Sequence, residues 1–241
     1  MVKLSAINDE IVMNFEEQLK ILENNSILYI ELRKINNQYL CEFSKNELHE
    51  LKKMIDQHAL KVSLIDSPIG KHKVPIMTDY FEIAKIFECD YIRIFYNEDL
   101  KYLNDIAKKC DITLLIENEK NIQPENITDI KQQIKNYSNI KLLFDIENLY
   151  SSGFDVIEAL VNNIDFINYI HLRNIKNEKY VKLNEGDINY LFIIKFLKEC
   201  NYNVFVSAEF HFSLNNDNMN TTEIFIDEIR KLKTLIEGRT S

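Results

Sequence analysis

The sequence predicts an α/β protein that folds as a closed (β/α)8 barrel. Eight apolar runs of strand length alternate with longer segments that show helical periodicity. Each strand and the helix after it occupy about 30 residues, which suits a parallel sheet with helical crossovers. Polar residues collect at the carboxyl end of several runs, on one face only. A barrel explains this pattern because its interior is packed and its carboxyl-terminal mouth carries the chemistry.

The eight predicted strands are short runs rich in Ile, Leu, Val and Phe. In chain order they are Lys3–Ile7, Ile27–Arg33, Lys61–Ser67, Tyr91–Asn97, Ile112–Glu119, Lys141–Asn148, Ile167–Asn174 and Val204–His211. A doubly wound open sheet is the alternative arrangement. Such a sheet usually carries a glycine-rich phosphate loop after its first strand. The segment INDEI at that place contains no glycine, so the barrel is favoured.

The segments between the strands carry helix signals. In SKNELHELKKMIDQHA, Ser44 and Glu47 have the spacing of a capping box, and apolar residues follow at helical intervals. A last helix is predicted from about residue 222 to residue 237, with Gly238 as its stop signal.

The alternation of side chains along each strand predicts which residues face the barrel interior. In the seventh strand Ile170 and Leu172 share one face, while His171 and Arg173 share the other. The same division recurs in strands two, five, six and eight. One face is apolar and suits packing under helices. The other becomes polar toward the mouth.

Four inward residues at the ends of successive strands are predicted to converge: Glu117, Asp145, His171 and Glu209. Three carboxylates and one imidazole would repel one another unless a cation joined them. An oxygen-rich set with one nitrogen suits Mn²⁺, Co²⁺, Mg²⁺ or Zn²⁺, and the residues alone do not choose among these metals. The alternative is a buried ion-pair network in which the carboxylates meet Arg33, Arg93 or Arg173.

Composition disfavours several function classes. The chain has 241 residues, a formal net charge of −9 and no basic stripe, which disfavours nucleic acid as a partner. No apolar run is long enough to cross a membrane, and the first residues lack the pattern of a signal peptide. The four cysteines form no C-x-x-C pair and are expected to be free thiols. We therefore expect a cytoplasmic protein.

Seven segments together resemble a known family. They are ILYIELR, SPIGK, LLIEN, LLFDIENLYSSG, YIHLRN, LNEGDI and VSAEF, in this order over nearly the whole chain. The set is similar to the sugar phosphate isomerase/epimerase family of the xylose-isomerase-like TIM barrels. The resemblance implies one TIM barrel domain over residues 1–241. It also implies one divalent metal ion held by Glu117, Asp145, His171 and Glu209.

The implied activity is isomerisation or epimerisation of a small carbohydrate by proton transfer beside a carbonyl group. The resemblance gives the catalytic proton transfers to Glu117 and Glu209. The residues expected to contact substrate are Asn148, Arg173, Lys71, His72, His211 and Glu31. The loops are short, so a small substrate, or a lid from a second copy in a homo-oligomer, would fit.

The sequence departs from the family pattern at two positions. Asn184 replaces the first glycine of a G-E-G-D loop, and Asn174 stands where H-x-x-D ends in an acid. Asn174 brings a second metal ion and the usual orientation of Arg173 into question. A dehydratase or lyase using the same metal remains an alternative, as does a non-catalytic binding barrel. A DNA-repair enzyme of the endonuclease IV type is disfavoured, because it needs further histidines, including one where this chain has Asn148.

Overall fold

Eight parallel strands form one sheet that wraps into a barrel. The computed structural model describes residues 1–70, 77–96, 99–120, 122, 124, 126–215 and 220–238. The strands are β1 (Val2–Ala6), β2 (Tyr29–Leu32), β3 (Lys61–Asp66), β4 (Tyr91–Phe95), β5 (Thr113–Glu117), β6 (Ile140–Asp145), β7 (Ile167–Leu172) and β8 (Val204–Ala208). Their order in the sheet is β1-β8-β7-β6-β5-β4-β3-β2. A single parallel bridge between Ile7 and Glu31 joins β1 to β2, so the predicted barrel is confirmed.

Helices connect the strands and cover the outside of the barrel. In the described part of the chain they are α1 (Phe15–Asn24), α2 (Lys45–Gln57), α3 (Met77–Ile86), α4 (Leu100–Cys110), α5 (Ile127–Ile134), α6 (Ile146–Ser151), α7 (Val156–Asn163), α8 (Tyr190–Glu199) and α9 (Thr221–Glu237). Short 3-10 turns cover Asn8–Glu10, Leu40–Glu42, Ile164–Phe166 and Phe212–Asn215. Two small hairpins, Lys34–Ile35 with Gln38–Tyr39 and Asn174–Lys176 with Lys179–Val181, project beyond β2 and β7.

Both predicted helix signals are confirmed. Ser44 caps α2, and its main-chain N–H donates to Glu47 Oε2 at 2.7 Å while Glu47 N–H donates to Ser44 Oγ at 3.4 Å. This exchange satisfies main-chain donors that the first helical turn leaves free. Gly238 ends α9 in the left-handed conformation with φ 71°, which glycine adopts without steric cost.

The predicted alternation of strand faces is also confirmed. The outward face packs under the helices, as shown by the fully buried Ile30, Ile92 and Ile116. Inside the barrel a second apolar layer is fully buried, and it consists of Leu64, Leu115, Leu143 and Tyr169. Leu28 is the exception, because it precedes β2 and is 59% exposed. The inner layer forms the floor beneath the polar mouth.

All eight predicted strands end earlier than the sequence indicates, by one to three residues. The sixth run continues to Asn148, but β6 ends at Asp145 and α6 begins at once. Asp145 Oδ1 accepts a hydrogen bond from the main-chain N–H of Asn148 at 2.8 Å, which is the geometry of a helix cap. Likewise β7 ends at Leu172 and β8 at Ala208. The residues after these strands turn over the mouth.

The buried side chain of Asn174 fastens the loop that follows the second hairpin. Its Nδ2 donates to the carbonyl oxygens of Leu183 at 2.7 Å and Ile188 at 3.0 Å. Its Oδ1 accepts from the main-chain N–H groups of Ile175 and Ile188, both at 3.0 Å. A Cβ atom at Gly186 would lie 2.2 Å from Asn174 Cγ. The loop therefore requires an amide at residue 174, and a carboxylate could not donate to the two carbonyl groups.

No helix within the described residues combines the length and the apolar character needed to span a bilayer.

We predict that Asn174→Asp lowers the free energy of unfolding by about 2 kcal/mol or more, because it leaves two buried carbonyl groups facing a carboxylate. The loss should be largest at neutral pH and should shrink as acid protonates the new side chain, since that carboxyl's pKa is raised by burial. Urea unfolding at several pH values measures it. Asn177→Asp, in an exposed turn with φ 50°, is the matched control. Equal stability of the two variants would contradict the proposed fastening.

Candidate metal centre

Four side chains from neighbouring strands meet at the carboxyl-terminal mouth of the barrel. Glu117 ends β5, Asp145 ends β6, His171 lies in β7, and Glu209 follows β8. All four are buried, and one ligand atom from each lies within 4.8 Å of the others. His171 Nδ1 is 3.4 Å from Glu117 Oε1, 3.9 Å from Asp145 Oδ2 and 3.2 Å from Glu209 Oε2. The structure thus brings together the four residues that strand alternation selects.

The orientation of His171 is set from below by a buried carboxylate. Glu31 Oε1 lies 2.9 Å from His171 Nε2, and Glu31 Oε2 accepts from the Tyr169 hydroxyl at 3.1 Å. Because an ionised carboxylate only accepts hydrogen bonds, Nε2 is the donor and Nδ1 faces the other three ligands. A histidine that donates one ring N–H to a carboxylate is the usual support for a metal-binding imidazole.

In each of the three carboxylates one oxygen faces the centre of the cluster. The other oxygen contacts an arginine or a main-chain N–H group at the periphery. The outer contacts are Arg93 Nη1 to Glu117 Oε2 at 3.2 Å, Asn148 N–H to Asp145 Oδ1 at 2.8 Å and Arg33 Nη1 to Glu209 Oε1 at 2.9 Å. We call Glu117 Oε1, Asp145 Oδ2 and Glu209 Oε2 the inner oxygens. They are positioned before any ion arrives, which reduces the cost of ordering the site on binding.

Burial and neighbouring charges favour protonated forms of Asp145 and His171 in this cluster, as the directions of their pKa shifts show. Burial raises the pKa of Asp145 well above its usual value, and the neighbouring Glu209 and Glu117 charges act in the same direction. Burial alone would lower the pKa of His171, but Glu31 and Glu209 raise it well above the usual value. Burial would raise the pKa of Glu117 and of Glu209, but arginine and His171 charges lower both. A cation can take the place of these protons.

The donor set fits a divalent cation. His171 Nδ1 and Asp145 Oδ2 are buried, and neither makes a hydrogen bond of acceptable geometry. Buried polar atoms without such partners are rare and indicate an additional ligand or a strained contact. Three carboxylate oxygens and one imidazole nitrogen suit the divalent cations that accept mixed oxygen and nitrogen ligands.

An arginine network surrounds the same cluster. Arg173 Nη2 lies 2.9 Å from Asp145 Oδ2, and Nη1 donates to Glu209 Oε2. Arg173 Nε donates to Glu147 Oε2 at 3.0 Å, and Nη2 also donates to Asn148 Oδ1 at 3.1 Å. The ion pairs that the sequence offers as an alternative to a metal site are therefore present together with the ligand cluster.

Glu10 and His211 form a second layer above Glu209. Glu10 Oε1 lies 2.7 Å from His211 Nδ1, and Glu10 Oε2 accepts from the His211 main-chain N–H at 3.0 Å. His211 adopts φ 55°, which is uncommon outside glycine. Its Nε2 faces Arg173 Nη1 at 3.2 Å and Glu209 Oε1 at 3.4 Å. Burial alone would raise the pKa of Glu10, but the His211 hydrogen bond and the Arg33 charge lower it to about 2.

The mouth opens into a cavity of about 430 Å³, the size of a small-ligand site. Asn148, Arg173 and His211, all expected to contact substrate, line it together with Glu117 and Glu209. Lys71 and His72 lie outside the described residues. Glu31 is expected in the same group, but it is fully buried beneath His171 and both of its oxygens are used. The structure gives Glu31 the place of a supporting residue.

Sequence reasoning misses several residues that build the mouth. Glu10 belongs to a 3-10 turn, where strand alternation says nothing. Glu147 falls on the inner face of the sixth predicted strand, but the structure places it in the short helix α6. Arg93 is already named from the sequence as a possible partner of the carboxylates, and it pairs with Glu117 and also with Asp66, which the sequence does not single out. Asn118 ties β5 to β6 by exchanging hydrogen bonds with the Asp145 main chain, both at 2.9 Å.

A larger cavity of about 610 Å³ lies at the opposite, amino-terminal end of the barrel. The charged residues that line it are balanced: Lys3, Lys52, Lys61, Asp56, Glu88 and Asp90. Neither of the candidate ligand clusters found among the described residues lies there. Both candidate ligand clusters of the described residues lie at the carboxyl-terminal mouth.

Comparison with known proteins agrees with this architecture. Hydroxypyruvate isomerase of Escherichia coli is 27% identical over 131 residues, which cover 52% of this chain and 50% of that protein. The chain spans about half or less of the length of the curated relatives it matches. The crystal structure of AsbF, a probable 3-DHS dehydratase from Bacillus anthracis, is similar with a TM-score of 0.78 and 17% identity, covering 96% of this chain and 98% of that one.

The IolI protein, crystallised with a bound zinc atom, is similar with a TM-score of 0.75 and 19% identity over 99% of both chains. At these identities the two structural likenesses show the fold alone. The family profile described as "Xylose isomerase-like TIM barrel" matches residues 27–235, which is most of the chain. The chain belongs to the xylose isomerase-like TIM barrel family.

Proposed function

We propose that this protein is a divalent-metal-dependent isomerase or epimerase of a small sugar, sugar phosphate or related keto compound. The observation that carries the proposal is the convergence of Glu117, Asp145, His171 and Glu209 within 4.8 Å at the mouth of the 430 Å³ cavity. The family and the similarity to hydroxypyruvate isomerase support the same reaction class. The proposed reaction begins with removal of a proton from a carbon beside a carbonyl group.

In this proposal the four clustered residues hold one divalent cation. When bound, the cation supplies Lewis-acid polarisation of neighbouring carbonyl and hydroxyl oxygens. Glu31 and Tyr169 keep the His171 ring in place beneath it. Arg93 and Arg33 hold the outer oxygens of Glu117 and Glu209. The chain's own residues therefore hold the ligands in a fixed geometry. Rigid strands are well suited to position a site in this way.

Glu117 and Glu209 are the proposed proton-transfer residues. The pKa of each is lowered by arginine and His171 charges that outweigh burial, so both are ionised at neutral pH and able to accept a proton. Two strands, β6 and β7, separate them around the rim. A substrate lying between them would meet one carboxylate on each side, which suits removal of a proton from one face and its return to another position or face.

A dehydratase on the same site is the second candidate, because this fold also occurs in AsbF, a probable 3-DHS dehydratase. Proton removal beside a carbonyl is common to both reactions, and the two diverge only if a neighbouring hydroxyl group departs. The acidic mouth and the net charge of −9 argue against a nucleic-acid substrate. A non-catalytic barrel that binds metal or sugar is the third possibility, and exchange measurements separate it from the other two.

We predict that Mn²⁺ raises the unfolding temperature and that binding releases about one proton or more, because the cation displaces protons from Asp145 and His171. Since the pKa of both groups is raised, affinity should increase with pH through the neutral range. Titration calorimetry in buffers of different ionisation enthalpy measures the protons released. Asp145→Asn should lose most of the thermal shift, whereas exposed Asp187→Asn should keep it. Binding that does not depend on pH would contradict this assignment.

We predict that Glu31→Gln weakens Mn²⁺ binding about 10- to 100-fold, because the amide no longer provides a charged acceptor for His171 Nε2. Tyr169→Phe removes only the hydroxyl that supports Glu31, so its effect should be smaller. Dissociation constants for both variants and for wild type test this order. If Glu31→Gln binds Mn²⁺ as tightly as wild type, Glu31 does not support the metal ligand.

We predict that the Mn²⁺-loaded protein exchanges a substrate C–H proton with D₂O, and that Glu209→Gln slows the exchange about 100-fold or more. NMR detects the exchange over a panel of ketoses, ketose phosphates and ketone cyclitols. Mn²⁺ content is measured on the same samples, because Glu209 is also a proposed ligand. Glu199→Gln, on the exposed end of α8, is the control. Metal binding without exchange on any substrate would support the non-catalytic barrel, and loss of water from the substrate would support the dehydratase.

A further inference from the structure

The geometry of Arg173 points to a role in metal loading. We propose that Arg173 competes with the divalent cation for two of its four ligands and so sets the affinity of the site for metal. This inference rests on the metal site of the proposed function. It concerns a residue outside the ligand set.

Arg173 differs from the two other arginines of the mouth in the oxygens that it contacts. Its Nη2 lies 2.9 Å from Asp145 Oδ2, and its Nη1 donates to Glu209 Oε2. Both are inner oxygens, which also face His171 Nδ1. Arg33 donates a hydrogen bond to Glu209 at the outer Oε1, and Arg93 pairs with Glu117 at the outer Oε2. Arg33 and Arg93 orient ligands, whereas Arg173 covers ligand atoms.

A cation and the guanidinium of Arg173 interfere with each other at this place. Metal–oxygen bonds in such sites are about 2.0–2.2 Å long, so an ion bound to both inner oxygens would lie within about 5 Å of the guanidinium in a buried setting. Two positive groups at that separation repel strongly where water is scarce. Binding of the cation therefore requires Arg173 to withdraw from Asp145 and Glu209, or it takes place with reduced affinity.

Arg173 also has hydrogen-bond partners outside the ligand set. Glu147 Oε2 accepts from its Nε at 3.0 Å, and Asn148 Oδ1 accepts from its Nη2 at 3.1 Å. Neither residue belongs to the ligand set, and both lie in the first turn of α6. The guanidinium can release the inner oxygens and still keep Glu147 as a charged partner. It is therefore not left as an unpaired buried charge, which would be strongly destabilising. Metal loading would then free its Nη groups for oxygens in the cavity.

The test compares Arg173→Gln with Arg33→Gln. Each substitution removes one positive charge from Glu209, but from opposite oxygens of the same carboxylate. Mn²⁺ is the probe, because the four cysteines of the chain would also take up zinc. Titration calorimetry at one pH should give a dissociation constant about tenfold or more lower for Arg173→Gln than for wild type. Arg33→Gln should not lower the dissociation constant, because Arg33 orients Glu209 through its outer oxygen and covers no inner oxygen.

The outcomes separate this inference from the proposed function. If wild type binds Mn²⁺ and folded Arg173→Gln binds it no more tightly, the competition is overturned while the metal site stands. If Arg33→Gln tightens binding equally, a general charge effect replaces competition and overturns the proposal. If neither wild type nor Arg173→Gln binds Mn²⁺, both proposals fail. Arg173→Lys keeps the charge but reaches only one oxygen, so it should also bind more tightly. It provides the test if the glutamine variant does not fold, and unchanged affinity would then overturn the competition.

Discussion

Repulsion between buried carboxylates is the constraint on which the mouth of this barrel depends. Three of them, Glu117, Asp145 and Glu209, point at one imidazole, and further buried acids support them from outside. Such a cluster is unstable unless positive charge is supplied nearby. Arg33 and Arg173, which directly follow β2 and β7, and Arg93, in the middle of β4, supply part of it. The ion-pair network and the ligand cluster are therefore parts of one arrangement, although the sequence presents them as alternatives.

The two oxygens of each carboxylate have different partners, and this difference gives the cluster its direction. An arginine or a main-chain N–H fixes the outer oxygen, so the inner oxygen is left facing His171 Nδ1. An arginine beside either oxygen would compensate the negative charge of a carboxylate equally well. Fixing the outer atoms keeps the centre available to a ligand, as expected of a site whose supporting residues are ordered before binding. Among the three arginines described at the mouth, Arg173 breaks this division, because it contacts inner oxygens.

Strand geometry explains which features are predictable from the sequence. The two-residue period of a strand is rigid, so alternation alone places Glu117, Asp145 and His171 on the inner face. It cannot predict where a strand stops, because Asp145 serves as both ligand and helix cap. Glu10 reaches the mouth from a 3-10 turn and Glu147 from the short helix α6, so neither lies in a strand. Asn174 is expected to mark an altered site, but its side chain instead makes four hydrogen bonds to main-chain groups of its own loop.

The closure of the barrel and the orientation of the metal-binding histidine depend on the same residue. β1 and β2 meet through a single bridge between Ile7 and Glu31, next to a register shift between β2 and β3. The main chain of Glu31 thus closes the sheet, while its side chain crosses the interior to His171 on β7. Because a single bridge joins β1 to β2, few hydrogen bonds hold this junction of the sheet. The buried contacts from Glu31 to His171 and Tyr169 therefore also tie the two sides of the barrel together. The residue that closes the barrel is therefore the same residue that contacts the imidazole facing the three carboxylates.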